Sequence, residues 1–581
     1  MAAAQSLGGA VSTSIRFLGS LAESYDRIHV SKQRYVLSIL VPSALFFALT
    51  IGVAWTAPLP LSVRVPVPLL GALTLASAVL YPKLYLSQRR AAIERQLHLA
   101  MTHMTVLSTT NIDRMEVFRT LGAEEEYGAL AEEIAHVVHL VDTWNQSLDD
   151  ACRRRAKEVP SPALSDFFDR LGYTLGAGQA LSDFLLSEQH VMLERYVTAY
   201  EGALDNLEVM KDLYMSMILS MTFALVFAIV LPILTGNDPT TTVAAVIVMF
   251  VFVQLGFYLV VRALAPYDPV WYHPEDGTAP TDRRVRATLW ASALLAGGLI
   301  CLAAGGLLGL SPYGLDDLLF FVDPVPLPLY LAVPVTPLAV SGVLVRAEER
   351  MIGARDEEFP SFVRALGATE SAKQSTTTAV LRTLREKDFG PLTPDIDRLY
   401  RRLNVRIEPV DSWRLFAVDS RSYLIQKFSE MYVIGRGMGG DPKQLGELIS
   451  ANMNTVNQLR EKRRQATVTL VGLLYGITAA STFAFFIGLQ VVSILADISE
   501  ELTVDQFDFG QLIYAGVYDI PLIEYLLLLV ILFNALLSSI MIRTIDGGNK
   551  ANAYLHFVLL TWLGCLTAVG TKELVSAILT I

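Results

Sequence analysis

A chain of 581 residues that is 52% hydrophobic and only 18% charged is too apolar for a set of ordinary soluble domains and falls in the membrane class. Its net charge of −11, with 11 lysines among 46 basic residues, is the acid-rich, lysine-poor balance of a protein adapted to a high-salt cytoplasm. Cys152, Cys301 and Cys565 lie far apart with no C-x-x-C, which argues against a disulfide framework or a zinc knuckle.

The opening residues have neither a basic start nor an unbroken apolar core. They read as a cytoplasmic lead-in (1–35) with a short helix near Ser14 to Ser24, not as a secretory signal. Nearly charge-free runs of the length that crosses a bilayer follow. They lie near 36–55, 67–86, 215–235, 242–263, 287–310, 325–345, 467–494, 521–542 and 553–572, which predicts nine spans. The second run carries Lys83 near its end, where the long side chain reaches the interface. The sixth carries Pro326, Pro328, Pro334 and Pro337 and is expected to be kinked or broken. The ninth is interrupted by Lys572 and Glu573.

Basic residues near the span ends set the orientation. With the N-terminus inside, Arg89, Arg90, Arg95, Arg262, Arg283, Arg284, Arg286, Arg346, Arg350 and the Arg460 to Arg464 cluster all fall on the cytoplasmic side. The opposite connections "GNDPTT", "SPYGLDDLLFFVDP" and "DISEELTVDQFDFGQLIYAGVYDI" hold no Lys or Arg; Arg64 and Lys572 are the exceptions. This register puts the C-terminus outside. The expected organisation is spans 1–2 in 36–86, a cytoplasmic segment 87–214, spans 3–6 in 215–346, a second cytoplasmic segment 347–466 and spans 7–9 in 467–581.

The two cytoplasmic segments repeat one another. An aromatic-Gly pair, Tyr127-Gly128, recurs as Phe389-Gly390, a separation of 262 residues. At that offset Ile134, Val137, Val138 and Val141 fall on Ile396, Leu399, Tyr400 and Leu403, each set spaced as one apolar face of a helix. "RTL" at Arg119 recurs at Arg382, one residue out of register. Phe167, Gly176 and Gly178 recur as Phe428, Gly437 and Gly439 at an offset of 261. These glycines fit either close helix crossings or a tight bend. Each cluster leads into a last helix that enters the membrane. The expected fold is an all-α polytopic membrane protein with two duplicated cytoplasmic helical-bundle modules.

Catalytic chemistry is missing. There is no G-x-x-x-x-G-K-[ST] loop for a nucleotide. "GRGMGGD" has Met438 where an intramembrane aspartyl peptidase needs glycine, and Asp441 precedes the next span by many residues. His136 and His139, beside Glu132 and Glu133, have ligand-like spacing, but Arg398 and Arg401 replace the histidines in the second copy. The shared property is a polar face opposite the apolar stripe. A transporter would duplicate its spans, not its cytoplasmic segments.

The copies differ in charge. Segment 88–212 holds 12 basic and 21 acidic residues, whereas 347–466 holds 20 basic and 17 acidic. Within that basic island Arg398, Arg402 and Arg406 fall at i, i+4, i+8 with Arg401 adjacent. This is either a solvated face or a contact for an acidic partner.

A duplicated helical cytoplasmic module, each copy running into the membrane, resembles the type II secretion system F family, the platform proteins of type IV pilus-like machines. The residues that carry the resemblance are Tyr127-Gly128, Phe389-Gly390, the helices after them, and the turns at Gly176-Ala177-Gly178 and Gly437-Met438-Gly439. Bacterial members have about three spans; the larger number here is similar to the archaeal branch, above all to archaellum platforms of halophilic archaea, with an adhesive-pilus platform as the alternative. The resemblance implies no enzyme activity, cofactor or nucleic-acid partner. It implies a homodimer, docking of a hexameric cytoplasmic secretion ATPase, contact with archaellin or pilin-like subunits, and other motor-complex proteins. Arg398, Arg401, Arg402 and Arg406 are the expected ATPase contact.

Overall fold

The computed structural model describes residues 35–56, 66–110, 112–235, 238–274, 280–307, 309, 315–318, 325–502 and 519–579. The expected helix at Ser14 to Ser24, the loop arginine Arg64 and most of the last outer connection lie outside the described residues. Among the described residues there is no strand, and one isolated antiparallel bridge joins Trp271 to Ser422.

The elements in chain order are α1 (Val41–Thr56), α2 (Pro66–Ser108), α3 (Arg114–Ala123), α4 (Ala129–Trp144), α5 (Leu148–Ala156), α6 (Pro162–Gly176), α7 (Leu181–Val230), α8 (Pro239–Leu264) and α9 (Pro280–Leu307). The second half continues with α10 (Leu329–Val335), α11 (Leu338–Lys373), α12 (Thr377–Leu384), α13 (Thr393–Asn404), α14 (Pro409–Ser420), α15 (Tyr423–Gly437), α16 (Pro442–Leu502), α17 (Ile520–Asp546) and α18 (Ala553–Leu579). Single 3-10 turns, Glu125–Tyr127 and Gly390–Leu392, precede α4 and α13. The order from α2 to α7 is thus the order from α11 to α16: long helix, short helix, 3-10 turn, three helices, long helix.

Local chemistry explains the boundaries. Gly128 enters α4 at φ 50° and ψ −120°, a backbone that a Cβ disfavours. Tyr127, just before it, is buried with its hydroxyl 3.2 Å from His103 Nδ1. In the second copy Gly390 has φ 54°, and Phe389 is buried edge-on against Phe362 at 5.5 Å. The apolar stripes turn inward: Ile134, Val137, Ile396, Leu399 and Leu403 are buried. Ser147 and Ser161 cap α5 and α6 by accepting from Asp150 N and Leu164 N.

Among the described residues six helices are long and apolar enough to cross a membrane: α7, α8, α9, α16, α17 and α18. The proline-rich sixth run is broken as expected, into α10 and α11 bent by 46°, and counts as a seventh span if the pair is taken together. The expected nine are not reached among the described residues. The run near 36–55 forms only a shorter apolar helix, Val36–Gly52. The run near 67–86 forms the start of α2 and is not among the candidate spans found in the described residues.

The chain divides into two compact units, one ending at Glu194 and including Gly437–Gly440, the other holding the rest. In the second unit α7, α8, α16, α17 and α18 share an apolar core around Ile229, Phe250, Phe486, Leu489, Leu527 and Ile531. Inside it Gln254 donates to Asn534 Oδ1 at 2.8 Å, an interhelical bond of the kind that holds spans together where lipid gives no hydrophobic drive.

Candidate functional site

The basic face of α13 is shorter than its spacing implied. The helix ends at Asn404, and Arg406 lies past it in a left-handed conformation at φ 64°. The i, i+4, i+8 row of arginines therefore does not form. Arg398 donates to the buried carboxylate of Asp395 and, through Nε at 3.0 Å, to Asp419 on α14. Arg402 also pairs with Asp419, at 2.8 Å. Arg401 and Arg406 are exposed. Beside them the α13–α14 corner leaves Val405, Ile407 and Val410 open to solvent, Val405 at 70%. The accessible feature is a corner with two guanidinium groups around an apolar patch, not a row of four.

The polar sides of α4 and α13 hide a feature that the periodicity did not reveal. Glu133, near the start of α4, is 1% exposed and accepts from Arg89 Nη2 at 3.1 Å and Arg155 Nε at 2.9 Å. Asp395, at the matching position of α13, is buried, in ionic contact with Arg355 at 3.2 Å and with Arg398. Burial pushes the Asp395 carboxyl up, while Arg355 and Arg398 pull it back. In both modules, then, a buried acid near the helix start joins its helix to an arginine on the long first helix. The signal was an acid at both ends of the 262-residue offset, on a face whose other polar residues change. Of the ligand-like histidines, His136 stands beside this acid, its Nδ1 4.0 Å from Glu133 Oε2. His139 Nδ1 is 3.0 Å from Thr143 Oγ1, and Glu133 is occupied by arginines.

Of the turn glycines, Gly178 and Gly439 adopt φ 83° and 87° and reverse the chain after α6 and α15. Gly176 and Gly437 are simply the last residues of those helices. None of the four packs a helix crossing, since a Cβ at Gly178, Gly437 or Gly439 would meet nothing within 4 Å and at Gly176 only Asp149 at 3.4 Å. The tight-bend reading of the cluster holds for Gly178 and Gly439. Close approach occurs elsewhere. A Cβ on Gly367 of α11 would lie 2.1 Å from Pro442 O, and one on Gly446 of α16 would lie 2.8 Å from Val363 O. At the matching crossing of α2 and α7, Thr105 Oγ1 instead donates to Leu185 O at 3.3 Å.

Residues 100–230, which take in the first module and the span after it, match the family described as type II secretion system (T2SS), protein F. The chain is 33% identical over 558 residues to Flagella accessory protein J of Methanocaldococcus jannaschii, covering 95% of this chain and 97% of that protein. It is 32% identical over 557 residues to Flagella accessory protein J of Methanococcus voltae, covering 95% and 98%. No solved structure matches.

Proposed function

The chain belongs to the flagella accessory protein J family, archaeal membrane platforms of the type II secretion system F class, and from that premise we propose how it works. It is the multi-pass platform of an archaellum or type IV pilus-like machine. In our reading it couples a hexameric cytoplasmic secretion ATPase to the addition of filament subunits whose N-terminal helices lie in the bilayer. Two copies and further motor proteins complete the assembly. The N-terminus and both modules are cytoplasmic, and the C-terminus is external. The observation that carries this is the duplicated module, each copy continuing through one uninterrupted helix, α7 or α16, into the membrane. Such a helix is a rigid rod, so a push on the module reaches the span.

The ATPase contact proposed here is the α13–α14 corner. Arg401 and Arg406 supply bidentate donors that keep their geometry when salt screens long-range attraction. The apolar patch of Val405, Ile407 and Val410 supplies contact that screening does not weaken. Arg398 and Arg402 hold α13 to α14 instead.

Deleting the gene should abolish archaella and swimming while leaving adhesive pili; loss of adhesion with swimming intact would favour the adhesive-pilus platform. Replacing Arg401 and Arg406 by Glu should reduce co-purified ATPase by at least tenfold with the platform at its normal level. Wild-type recovery of the ATPase would rule the corner out. Cysteines at Asp316 should label from outside intact cells and those at Glu125 and Asp388 should not, and external labelling of Asp388 would invert the topology.

A further inference from the structure

The cytoplasmic connection between α8 and α9 carries an aromatic-rich segment, residues 265–274, that is more than a link between two spans. Arg460, on α16 just before its membrane part, forks onto Asp268 of this segment, with Nε and Nη2 each 2.7 Å from a carboxylate oxygen. Its Nη2 also reaches Pro269 O at 3.1 Å, and its Nη1 reaches Asp356 of α11 at 2.7 Å. The Asp356 side chain is 2% exposed, that of Asp268 8% and that of Arg460 17%. One guanidinium thus ties three elements together away from water.

The segment is also stitched to the second module through its backbone. Tyr272 N donates to Arg421 O at 2.9 Å, and Tyr423 N donates to Val270 O at 3.1 Å, on either side of the Trp271–Ser422 bridge. Trp271 is buried with Val285 of α9 and Val345 and Ile352 of α11, and its Nε1 donates to Glu349 at 3.0 Å. The same α14–α15 junction is pinned from α11. Arg355 donates to Ser420 O at 3.1 Å, Arg421 pairs with Glu348, and Ser422 donates to Asp356. The two backbone bonds and the three contacts from α11 meet at residues 420–423, the end of α14 opposite the exposed corner.

We propose that residues 265–273 are a mechanical joint that carries displacement of the second module into α8 and α9, with Arg460 and Asp268 as the positioning residues that hold it shut. The proposal rests on the platform reading above. A load applied at the α13–α14 corner runs along α14, a rod of 12 residues, to the pinned junction. From there it has a route to the membrane besides α11 and α16: across the bridge into the segment, and so to the adjoining end of α8 and, through Trp271 against Val285, to α9. Arginine suits the node because its planar fork holds two carboxylates from different elements at once, which a lysine ammonium does not. Burial shields the pair from the salt that weakens exposed ones.

The test uses the full-length protein in its own cells. Asp268→Ala should leave the platform inserted at wild-type level and the ATPase co-purifying at wild-type ratio, yet reduce filament number at least tenfold. Unchanged ATPase recovery separates failure of the joint from failure of docking. Arg460→Lys should show the same split. A cysteine pair, Val270→Cys with Tyr423→Cys, closes the joint covalently when oxidised. Oxidation should restore assembly to the Asp268→Ala variant and leave the wild-type background active. Normal filament number in Asp268→Ala, or parallel loss of ATPase and filaments, overturns the proposal. So does loss of assembly on cross-linking the wild-type background, because the joint would then have to open. Should Asp268→Ala reduce the level of protein, the cross-linked wild-type background decides by itself.

Discussion

The two modules repeat one backbone and differ in how their ends are held. Both run long helix, short helix, 3-10 turn, three helices and long helix. Both place positive φ at the same three points: Gly128 and Gly390, Asn145 and Arg406, Gly178 and Gly439. Both bury an acid near the start of the fourth element, Glu133 or Asp395. Yet the first belongs to one compact unit with α1 and α2, whereas the second shares its unit with the membrane helices from α8 onward. The first and last helices of the second module meet across Gly367 and Gly446, while those of the first meet across Thr105 and Leu185. The second module also has the segment at Asp268 bound to it. What duplication preserved is the geometry of turns and the buried acid. What diverged is the closeness of the helix crossing and the attachment of the segment at Asp268.

The sharpest way to break this comparison is at the crossings. Gly367→Val sets a Cβ against backbone that no rotamer change can move, and should cost at least about 3 kcal/mol, the upper end of overpacking. The matched Thr105→Val removes a hydroxyl bond and should cost only about 1 kcal/mol. Thermal unfolding of the solubilised full-length protein measures both; equal losses would show that the two crossings are equivalent.

Next come the buried acids. Glu133→Gln and Asp395→Asn each leave a guanidinium short of its partner in a buried site and should cost about 3 kcal/mol. The sign of the pH dependence is fixed for Asp395. Its folded pKa is raised above 3.8 by burial, so its titration favours the fold at low pH, and that contribution is lost as pH rises through the folded value. The penalty of Asp395→Asn relative to wild type should therefore shrink as pH rises, and a penalty that grows would mean the arginines outweigh burial.

The smallest effects test the turns. Gly178→Ala and Gly439→Ala should each cost about 1 kcal/mol, because the left-handed backbone there crowds a Cβ. Gly176→Ala and Gly437→Ala, at helix ends with open space around them, should be neutral or stabilise by up to about 1 kcal/mol. A penalty at 176 matching that at 178 would mean that the cluster acts as a unit.

Features that depend on neighbours in the chain were legible in the sequence. The apolar stripes of α4 and α13, the break at the prolines of the sixth run and the bends at Gly178 and Gly439 follow from side-chain period, ring closure and a missing Cβ, all local causes. The repeated element order was legible because the same local pattern appears twice. What the polar side chains do was decided by tertiary structure. Arg398 and Arg402 looked like half of a basic face, but Asp419 on the next helix takes both. Glu133 looked like one residue of a polar face, but Arg89 and Arg155 meet it from two other helices. Asp268 and Arg460 carry no pattern at all, being 192 residues apart. The reason is the range of the interaction. A stripe or a turn is dictated by the next few residues, whereas a buried charge is stable only where the fold brings an opposite charge to it, and that partner is chosen by packing between elements distant in the chain.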